Sequence, residues 1–322
     1  MILAGDIGGT HTRLALFEDE DNRVATLRET TLSSRKYAGL ADAVQFFLRD
    51  EKRPIRAACF GIAGPVFAQS CTATNLPWRV DAAQFSKTLH IPSVKLINDL
   101  EAMALGTLSL DANDLVVLNA GTPDPRGKRA VIAAGTGLGE GLLFWDGAHY
   151  RPSASEGGHC DFAPRNRTEI ALLEFLIARY GRVSYERILS GPGLLNIYQF
   201  LKEKEEDKEA PWLTEAFKVK DPGSVITDAA LNGTSELCVK ALNLFVSIYG
   251  AEAGNLGLKL LATGGVYIGG GIAPQIVKKL QDGAFIETFR DKGRYGELMD
   301  RIPIHIILND RCALLGAARY CQ

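Results

Sequence analysis

The fold is decided by the stretch Gly5-Asp6-Ile7-Gly8-Gly9-Thr10, which stands between the apolar runs Ile2 to Ala4 and Leu14 to Phe17. Both runs have the length of short strands, so the segment predicts a strand, a glycine-rich turn and a second strand. Glycine adopts unusual dihedrals and lacks a side chain, which lets backbone N–H groups approach a polyphosphate closely. The turn therefore predicts a phosphate site, although a turn that only reverses the chain explains one such segment equally well.

A second glycine-rich turn, Gly135-Thr136-Gly137-Leu138-Gly139, lies between two further apolar segments. Two similar turns favour phosphate binding over simple chain reversal, and their spacing predicts that the two halves of the chain are an internal duplication. The hydroxyl groups of Thr10 and Thr136 add donors to these turns. The carboxylate of Asp6 suits magnesium, held through water because this cation keeps much of its hydration.

Other nucleotide-binding motifs do not fit the sequence. The stretch Gly121 to Arg129 resembles a P-loop, but it has five residues before Gly127, one too many, and Arg129 replaces the required Ser or Thr. The second glycine-rich turn lacks the G-x-G-x-x-G register and leads into a strand, which argues against a dinucleotide-binding fold. Protein-kinase signatures are absent as well.

The length and the charge of the chain limit the classes of protein it can belong to. Its 322 residues exceed what one hydrophobic core usually supports, which predicts two domains or lobes with a ligand cleft between them. Hydrophobic residues make up 46% and charged residues 23%, as in globular proteins with an extensive core. The formal net charge is -2, with acidic and basic residues mixed, so we expect no nucleic-acid or membrane partner.

The cysteines and the amino terminus indicate a cytoplasmic location. The six cysteines lie far apart with no C-x-x-C pair, which argues against a disulfide framework and a zinc knuckle and favours a reducing compartment. Met1 is followed at once by a strand-like segment, unlike a signal peptide. No apolar run reaches the length of about 18 residues that a membrane span needs. We therefore expect a cytoplasmic protein.

Strand-like and helix-like segments alternate along the chain, which predicts mixed sheets covered by helices. Apolar spacing predicts helices at 40–48, 100–108, 169–180 and 194–204, and one or two helices within 226–255. Short apolar runs predict strands at 57–62, 94–97 and 260–268. The last strand is followed by Gly269-Gly270-Gly271 and a predicted helix from Pro274 to Leu280, an arrangement that suits a nucleotide.

The pair Asn98-Asp99 follows a predicted strand and precedes a predicted helix. Ligands of α/β sheets gather at the carboxyl ends of strands, where the Asp99 carboxylate could accept a proton from a sugar hydroxyl that attacks a γ-phosphoryl group. An Asp before an apolar helical run is also a common N-cap, and the position in the sequence favours that role. The residues by themselves leave both roles open.

The stretch Ser155-Glu156-Gly157-Gly158-His159 concentrates a carboxylate and an imidazole around two glycines. Such groups suit a sugar, because a carboxylate accepts from vicinal hydroxyls and an imidazole donates or accepts. His159 with Cys160 could indicate zinc, but no second pair at ligand spacing supports it. Glu186, judged by its neighbours alone, is an exposed helical acid.

Taken in order, these motifs resemble those of the bacterial glucokinase family, within the actin-like ATPase superfamily of sugar kinases. The similarity runs nearly from end to end, and the set is specific although each motif is modest alone. It is carried by Gly5 to Thr10, Gly61-Ile62-Ala63-Gly64-Pro65, Thr74-Asn75-Leu76-Pro77-Trp78, Asn98-Asp99, Gly135 to Gly139, Glu156-Gly157-Gly158-His159, and Glu186 with Ser190-Gly191-Pro192-Gly193.

The resemblance implies a glucokinase that transfers the γ-phosphoryl group of ATP, with magnesium, to the 6-hydroxyl of glucose, and it implies that Asp99 is the general base. The implied glucose-binding residues are Asn98, Asp99, Glu156, His159, Glu186, Gly64, Pro65 and Asn75. The implied ATP-binding residues are Gly5, Asp6, Ile7, Gly8, Gly9, Thr10, Gly135, Thr136, Gly137, Gly270 and Gly271. Asp6 is the implied magnesium ligand, through water, and the family also implies a homodimer.

The fold that the resemblance implies is an α/β fold, the two-lobed actin-like ATPase (ribonuclease H-like) fold with duplicated mixed-sheet domains and an interlobe cleft. We expect a small α/β domain of residues 1–109, completed by the C-terminal helix 310–322. Residues 110–309 are expected to form a large α/β domain.

Two departures from related families bear on this hypothesis. The position after Thr10 is often Asn in the glucokinase family but is His11 here, and we assign it no role. The zinc motif C-x-C-G-x-x-G-C of a related kinase and repressor family is absent. A sugar-binding regulator or another hexose kinase of the same fold remains an alternative, and so does a chaperone-type or filament-type ATPase, although the sugar-binding cluster argues against the last.

Overall fold

The computed structural model describes residues 1–20, 23–74, 76–204 and 210–322. Its strands are β1 (Ile2–Ile7), β2 (His11–Glu20), β3 (Arg23–Ser33), β4 (Ala57–Ile62), β5 (Val66–Phe67), β6 (Ser70–Thr72), β7 (Arg79–Asp81), β8 (Ser93–Asn98), β9 (Leu115–Asn119), β10 (Arg129–Ala134), β11 (Leu138–Trp145), β12 (Tyr150–Ser155), β13 (Gly265–Gly269) and β14 (Ile304–Ile307). Its helices are α1 (Leu40–Leu48), α2 (Ala82–Leu89), α3 (Asp99–Gly106), α4 (Arg167–Tyr180), α5 (Gly191–Lys204), α6 (Pro211–Val219), α7 (Pro222–Leu231), α8 (Glu236–Leu260), α9 (Val277–Leu280), α10 (Ala284–Arg290), α11 (Gly296–Asp300) and α12 (Cys312–Arg319). None of the described helices combines the length and the apolar character that crossing a lipid bilayer requires.

The chain divides into two compact units. The first unit contains residues 1–114, 141–154 and 309–322, and the second contains residues 115–140 and 155–308. The division at residues 109 and 309 stays a prediction. Residues 141–154, which the prediction gives to the large domain, group with the first unit.

The main sheet of the first unit has the strand order β3-β2-β1-β4-β8. Strands β1 and β2 form an antiparallel hairpin, while β1, β4 and β8 run parallel to one another. Every residue of β4 is buried, as expected of a parallel strand that is covered on both faces. The predicted strand–turn–strand segment is present, and with helices on the sheet it confirms the mixed α/β class.

The first turn is shorter than the sequence suggests. Gly5 and Asp6 lie inside β1, where they pair with Leu14 and Arg13 of β2, and the reversal is confined to residues 8–10. A Cβ added to Gly5 would lie 2.5 Å from the Phe60 ring, so this glycine admits the neighbouring aromatic side chain into the core. Gly5 is needed inside β1 because β1 packs beside β4. The sequence pattern of a single strand does not reveal this packing.

Helix α12 spans Cys312–Arg319 and lies in the first unit. It packs against α3 through glycines, because a Cβ added to Gly316 would lie 1.7 Å from the Ala102 carbonyl oxygen. A Cβ added to Gly106 would lie 1.9 Å from the Cys312 carbonyl oxygen. The two helices therefore pack backbone to backbone.

A second sheet repeats the plan of the first. It has the strand order β12-β11-β10-β13-β14-β9, in which β10, β13 and β14 are parallel and β9 is antiparallel to β14. The first five strands of this order correspond to β3-β2-β1-β4-β8, since each sheet has its glycine-rich turn between the second and third strand. The repeated order supports the predicted duplication.

Two predicted elements near the carboxyl end of the sheet differ in the structure. The strand predicted at 260–268 begins only at Gly265, because α8 occupies the chain up to Leu260. Leu261, the C-cap of this helix, has a left-handed φ of 51°. The helix predicted from Pro274 to Leu280 is a 3-10 turn at Ala273–Gln275 followed by the four residues of α9. The prediction of a helix that begins at Pro274, after Gly269 to Gly271, is therefore wrong.

Candidate active site

The first glycine-rich turn is fixed by backbone and hydroxyl hydrogen bonds. The Gly8 N–H donates to the His11 carbonyl at 2.9 Å, and the Ser34 hydroxyl donates to the Gly8 carbonyl at 2.9 Å. The Ser34 N–H donates to the Thr10 carbonyl at 3.0 Å. Because the Gly8 and Thr10 carbonyl oxygens are both bound to Ser34, the turn has a defined shape, and Thr10 is exposed in it.

Asp6 is a half-buried carboxylate at the end of β1. Burial raises its pKa to about 6, with Arg13 acting to lower the pKa and Asp310 acting to raise it. Arg13 is itself engaged, because its guanidinium donates to the Asp310 carbonyl at 2.7 Å and to Asp310 Oδ2 at 2.8 Å. A single incompletely compensated carboxylate beside the first glycine-rich turn fits a magnesium ion that keeps most of its water.

Asn98 supplies the N-cap of α3. Its Oδ1 accepts from the Leu100 N–H at 2.9 Å, and Glu101 Oε2 accepts from the Asn98 N–H at 2.9 Å, which completes a capping box. Asp99 is the first residue of the helix and is half-exposed. The sequence-based N-cap role for Asp99 is therefore wrong, since Asn98 performs it.

The sugar-side segment that the resemblance names lies beside this cap. Asn98 Nδ2 donates to the Gly64 carbonyl at 3.1 Å, and Gly64 has a φ of 143°, which disfavours other residues. A Cβ added to Gly64 would lie 3.0 Å from Thr74 Oγ1, so this glycine also allows close approach. Pro65 is exposed, and Asn75 lies outside the described residues.

The second glycine-rich turn lies against the segment after β13. The Gly135 N–H donates to the Gly137 carbonyl at 2.8 Å within the turn. A Cβ added to Gly270, whose φ is 81°, would lie 2.3 Å from the Ala134 carbonyl oxygen. A Cβ added to Gly135 would lie 3.9 Å from the Gly271 nitrogen, so Gly271 lies next to the turn. The structure thus brings together the predicted ATP-binding residues of the second unit.

A cavity of about 320 Å³ opens beside this turn. It is lined by Gly135, Thr136, Gly191, Pro192, Leu194, Asp221, Gly223, Ser224, Thr227, Gly271, Ile272 and Gln275. The sequence prediction missed the segment around Asp221. The sequence signal for this segment is an Asp followed by a Pro, which is typical of a helix start. In the structure Asp221 is the N-cap of α7 and accepts from the Ser224 N–H at 2.9 Å.

The carboxylate and imidazole cluster lies on two short 3-10 turns of the second unit. Glu156 and His159 are exposed at the ends of the turn Gly157–His159, and half-buried Glu186 lies on the turn Tyr185–Arg187. His159 Nδ1 is 4.0 Å from Glu186 Oε1, and the Leu138 N–H donates to Glu186 Oε2 at 3.0 Å. The reading of Glu186 as an exposed helical acid is therefore wrong.

Glu140 is a second carboxylate in this region that the sequence prediction missed. It is 3% exposed, and its Oε1 has no hydrogen-bond partner among the described residues. Burial raises the pKa of Glu140 to about 7, nearby Glu252 adds to the increase, and Lys259 opposes it. A Cβ added to Gly157 would lie 2.0 Å from Glu140 Oε2, so the Glu140 carboxylate supports the segment that contains Glu156 and His159.

The chain matches one family of known proteins along nearly its whole length. The model of the glucokinase family matches residues 3–322. A glucokinase of Nostoc sp. (strain PCC 7120) is 43% identical over 99% of this chain and 98% of the relative.

Solved structures show the same fold. A glucokinase from an Antarctic psychrotroph, solved by crystallography, has a TM-score of 0.87 at 31% identity over 99% of this chain and 98% of that chain. A ROK family glucokinase from Streptomyces griseus, solved in complex with glucose and AMPPNP, has a TM-score of 0.68 at 20% identity over 99% of this chain and 98% of that chain. The actin-like ATPase fold expected from the sequence is confirmed.

Proposed function

This chain belongs to the glucokinase family, and from that premise we propose the roles of individual residues in its reaction. It is an ATP-dependent hexose kinase that phosphorylates glucose. We propose that Asp99 is the general base. The observation that carries this proposal is that Asp99 is the half-exposed first residue of α3, directly after Asn98, which supplies the N-cap.

The proposed reaction is an in-line transfer to the 6-hydroxyl of glucose. The hydroxyl oxygen attacks the γ-phosphorus, the bond to the β,γ-bridging oxygen breaks, and ADP leaves with the electron pair. The hydroxyl proton passes to the Asp99 carboxylate. The products are ADP and glucose 6-phosphate.

The phosphates are proposed to bind at the two glycine-rich turns, and the adenosine in the cavity of the second unit. The support for this assignment is that Gly135, Gly270 and Gly271 adjoin one another. Gly135, Thr136 and Gly271 also line the cavity of about 320 Å³. In the first turn the proposed contacts come from Gly5 to Thr10.

The glucose hydroxyls are proposed to bind polar side chains. The proposed residues are Asn98, Asp99, Glu156, His159 and Glu186, with Gly64, Pro65 and Asn75 beside them. Support comes from the exposed state of Glu156 and His159 and from the fixed orientation of Asn98, whose cap leaves one amide hydrogen available to a hydroxyl.

Magnesium is proposed to be held by Asp6 through water. The residues present fit this ion, because oxygen donors suit magnesium and Asp6 stands beside the first phosphate turn. When bound, the ion supplies positive charge that neutralises the β- and γ-phosphate oxygens.

A cytoplasmic location and a homodimer complete the proposal. Cys160 is exposed as a free thiol, a state that a reducing compartment preserves. The homodimer rests on the family resemblance. Light scattering tests it, with about 70 kDa expected from twice the chain mass of 34.9 kDa.

The test of Asp99 is ADP release measured with glucose, mannose, fructose, N-acetylglucosamine and no sugar. The Asp99→Asn variant should lose about a hundredfold to ten-thousandfold in kcat, because proton removal by a positioned base contributes that much. The exposed Asp42→Asn is the matched control and should stay at the wild-type rate.

Three results would contradict the proposal. ADP release that does not depend on sugar would indicate an ATPase of the same fold. Full activity of Asp99→Asn would remove the general-base role, and glucose binding without any turnover in the wild type would indicate a sugar-binding regulator.

A further inference from the structure

The two oxygens of the Glu186 carboxylate face two different segments. Oε2 accepts from the Leu138 N–H of the second phosphate turn at 3.0 Å. Oε1 lies 4.0 Å from His159 Nδ1, on the side of the proposed sugar-binding residues. The side chain is 32% exposed, so it is reachable by a ligand yet held in place on one side.

The absence of a side chain at Gly137 leaves room for the Glu186 carboxylate. A Cβ added to Gly137 would lie 2.4 Å from Glu186 Oε2, closer than any real Cβ contact. Gly137 is not among the glycines with a positive φ, so its backbone conformation does not demand glycine. Gly137 is required because the Glu186 carboxylate needs the space that a side chain would fill. At this point the second phosphate turn contacts an acid of the proposed sugar site.

The segment that begins at Glu186 meets the same turn a second time. The Gly191 N–H donates to the Gly135 carbonyl at 2.8 Å. Between these two attachments, the Ser190 hydroxyl donates to the Glu186 carbonyl at 2.7 Å and accepts from the Gly193 N–H at 3.0 Å. The segment from Glu186 to Gly191 is therefore bound to the phosphate turn at both ends, and Gly191 also lines the nucleotide cavity.

We infer that Glu186 is a positioning residue that couples the sugar site to the nucleotide site. This inference rests on the proposed function. A sugar hydroxyl that donates to Oε1 fixes the carboxylate, and the fixed carboxylate holds the Leu138 N–H and with it the shape of the phosphate turn. Because coupling between two ligands is reciprocal, glucose tightens nucleotide binding by the same factor as nucleotide tightens glucose binding.

Two glycine variants of the same turn test the coupling from the phosphate side. Gly137→Ala displaces the Glu186 carboxylate, whereas an added Cβ at Gly135 meets nothing closer than 3.9 Å. Glucose binding is measured by calorimetry on the full chain without nucleotide. Gly137→Ala should weaken glucose binding about tenfold, since a charge-assisted hydrogen bond is misplaced. Gly135→Ala should bind glucose as the wild type does.

A second pair of variants measures the coupling itself. The affinity for AMPPNP with magnesium is determined with and without saturating glucose, and the ratio is the coupling factor, expected to be about tenfold in the wild type. Glu186→Asp is one methylene shorter and should reduce the ratio to about one, as the carboxylate no longer spans both segments. His159→Gln should weaken glucose binding but keep the wild-type ratio.

The inference is overturned if Gly137→Ala binds glucose like the wild type, or if Gly135→Ala weakens it equally. It is also overturned if the coupling factor of Glu186→Asp equals that of the wild type. This second test remains valid even if Gly137→Ala does not fold. Failure of the proposed function is distinct, because it shows as absence of glucose-dependent ADP release in the wild type.

Discussion

At the scale of single residues, buried carboxylates distinguish the second unit. Glu140 is 3% exposed and Glu252 is fully buried. Asn255 Nδ2 donates to Glu252 Oε2 at 2.8 Å and Lys259 Nζ lies 3.7 Å from Glu252 Oε1, so Glu252 has partners that carry or balance its charge. Glu140 lacks such compensation, and its protonated form is favoured in the folded chain.

This raised pKa predicts a pH-dependent stability. The pKa of Glu140 is about 7 when folded, against an ordinary value of 4.5. Between these values the folded state binds more protons than the unfolded state, so the free energy of unfolding falls as the pH rises through this window. Glu140→Gln should remove this fall, and by pH 8 it should exceed the wild type by up to about 3 kcal/mol.

Urea unfolding at several pH values from 4.5 to 8 measures this difference. The exposed Glu174→Gln is the control, and its stability should run parallel to that of the wild type. A constant difference between Glu140→Gln and the wild type over the whole range would contradict the prediction.

At the scale of elements, glycines set the distance between helices. Gly316 of α12 and Gly106 of α3 allow backbone contact in the first unit. The second unit uses the same device, because a Cβ added to Gly250 of α8 would lie 2.2 Å from the Phe285 carbonyl oxygen of α10. In each case the atom in the way belongs to the backbone, which cannot rotate aside as a side chain can.

Gly316→Ala is therefore expected to destabilise the protein. The added methyl group collides with the Ala102 carbonyl at 1.7 Å, and separating α12 from α3 should lower the free energy of unfolding by about 3 kcal/mol. Gly296→Ala is the control, since its nearest atom lies at 3.7 Å and its helical backbone suits alanine. The control should be unchanged or up to about 1 kcal/mol more stable. Equal unfolding midpoints in urea for the two variants would contradict the proposed packing.

At the scale of the whole molecule, the two large sheets share an order of five strands, and each has a glycine-rich turn between the second and third of them. The family's substrates are a sugar and a nucleotide. Ligands that bind only the folded chain stabilise it by mass action.

Glucose is thus expected to raise the stability of the folded protein. At a concentration of about one hundred times its dissociation constant, the free energy of unfolding should increase by about 2.7 kcal/mol. Thermal unfolding monitored by calorimetry measures the shift, with L-glucose as the control for general solvent effects. An equal shift with both enantiomers would show that the stabilisation does not come from a specific sugar site.

The sequence by itself determined the features that depend on local pattern. Apolar spacing gave the bounds of α1 and the strand β4, because the period of a helix or strand is written in consecutive residues. The glycine-rich turns and the ordered motifs identified the family, and with it the ATP-dependent phosphorylation of glucose. The paired turns predicted a duplication, which the shared strand order of the two large sheets supports.

Only the tertiary structure decided which distant residues meet. Glu186 binds the Leu138 N–H across 48 positions of the chain, and this contact gives the residue its proposed coupling role. Glu140 lies against Gly157, and Asp221 lines the cavity beside the second turn. These contacts depend on how helices and turns pack on the sheet, and packing between segments far apart in sequence leaves no periodic signal in either segment.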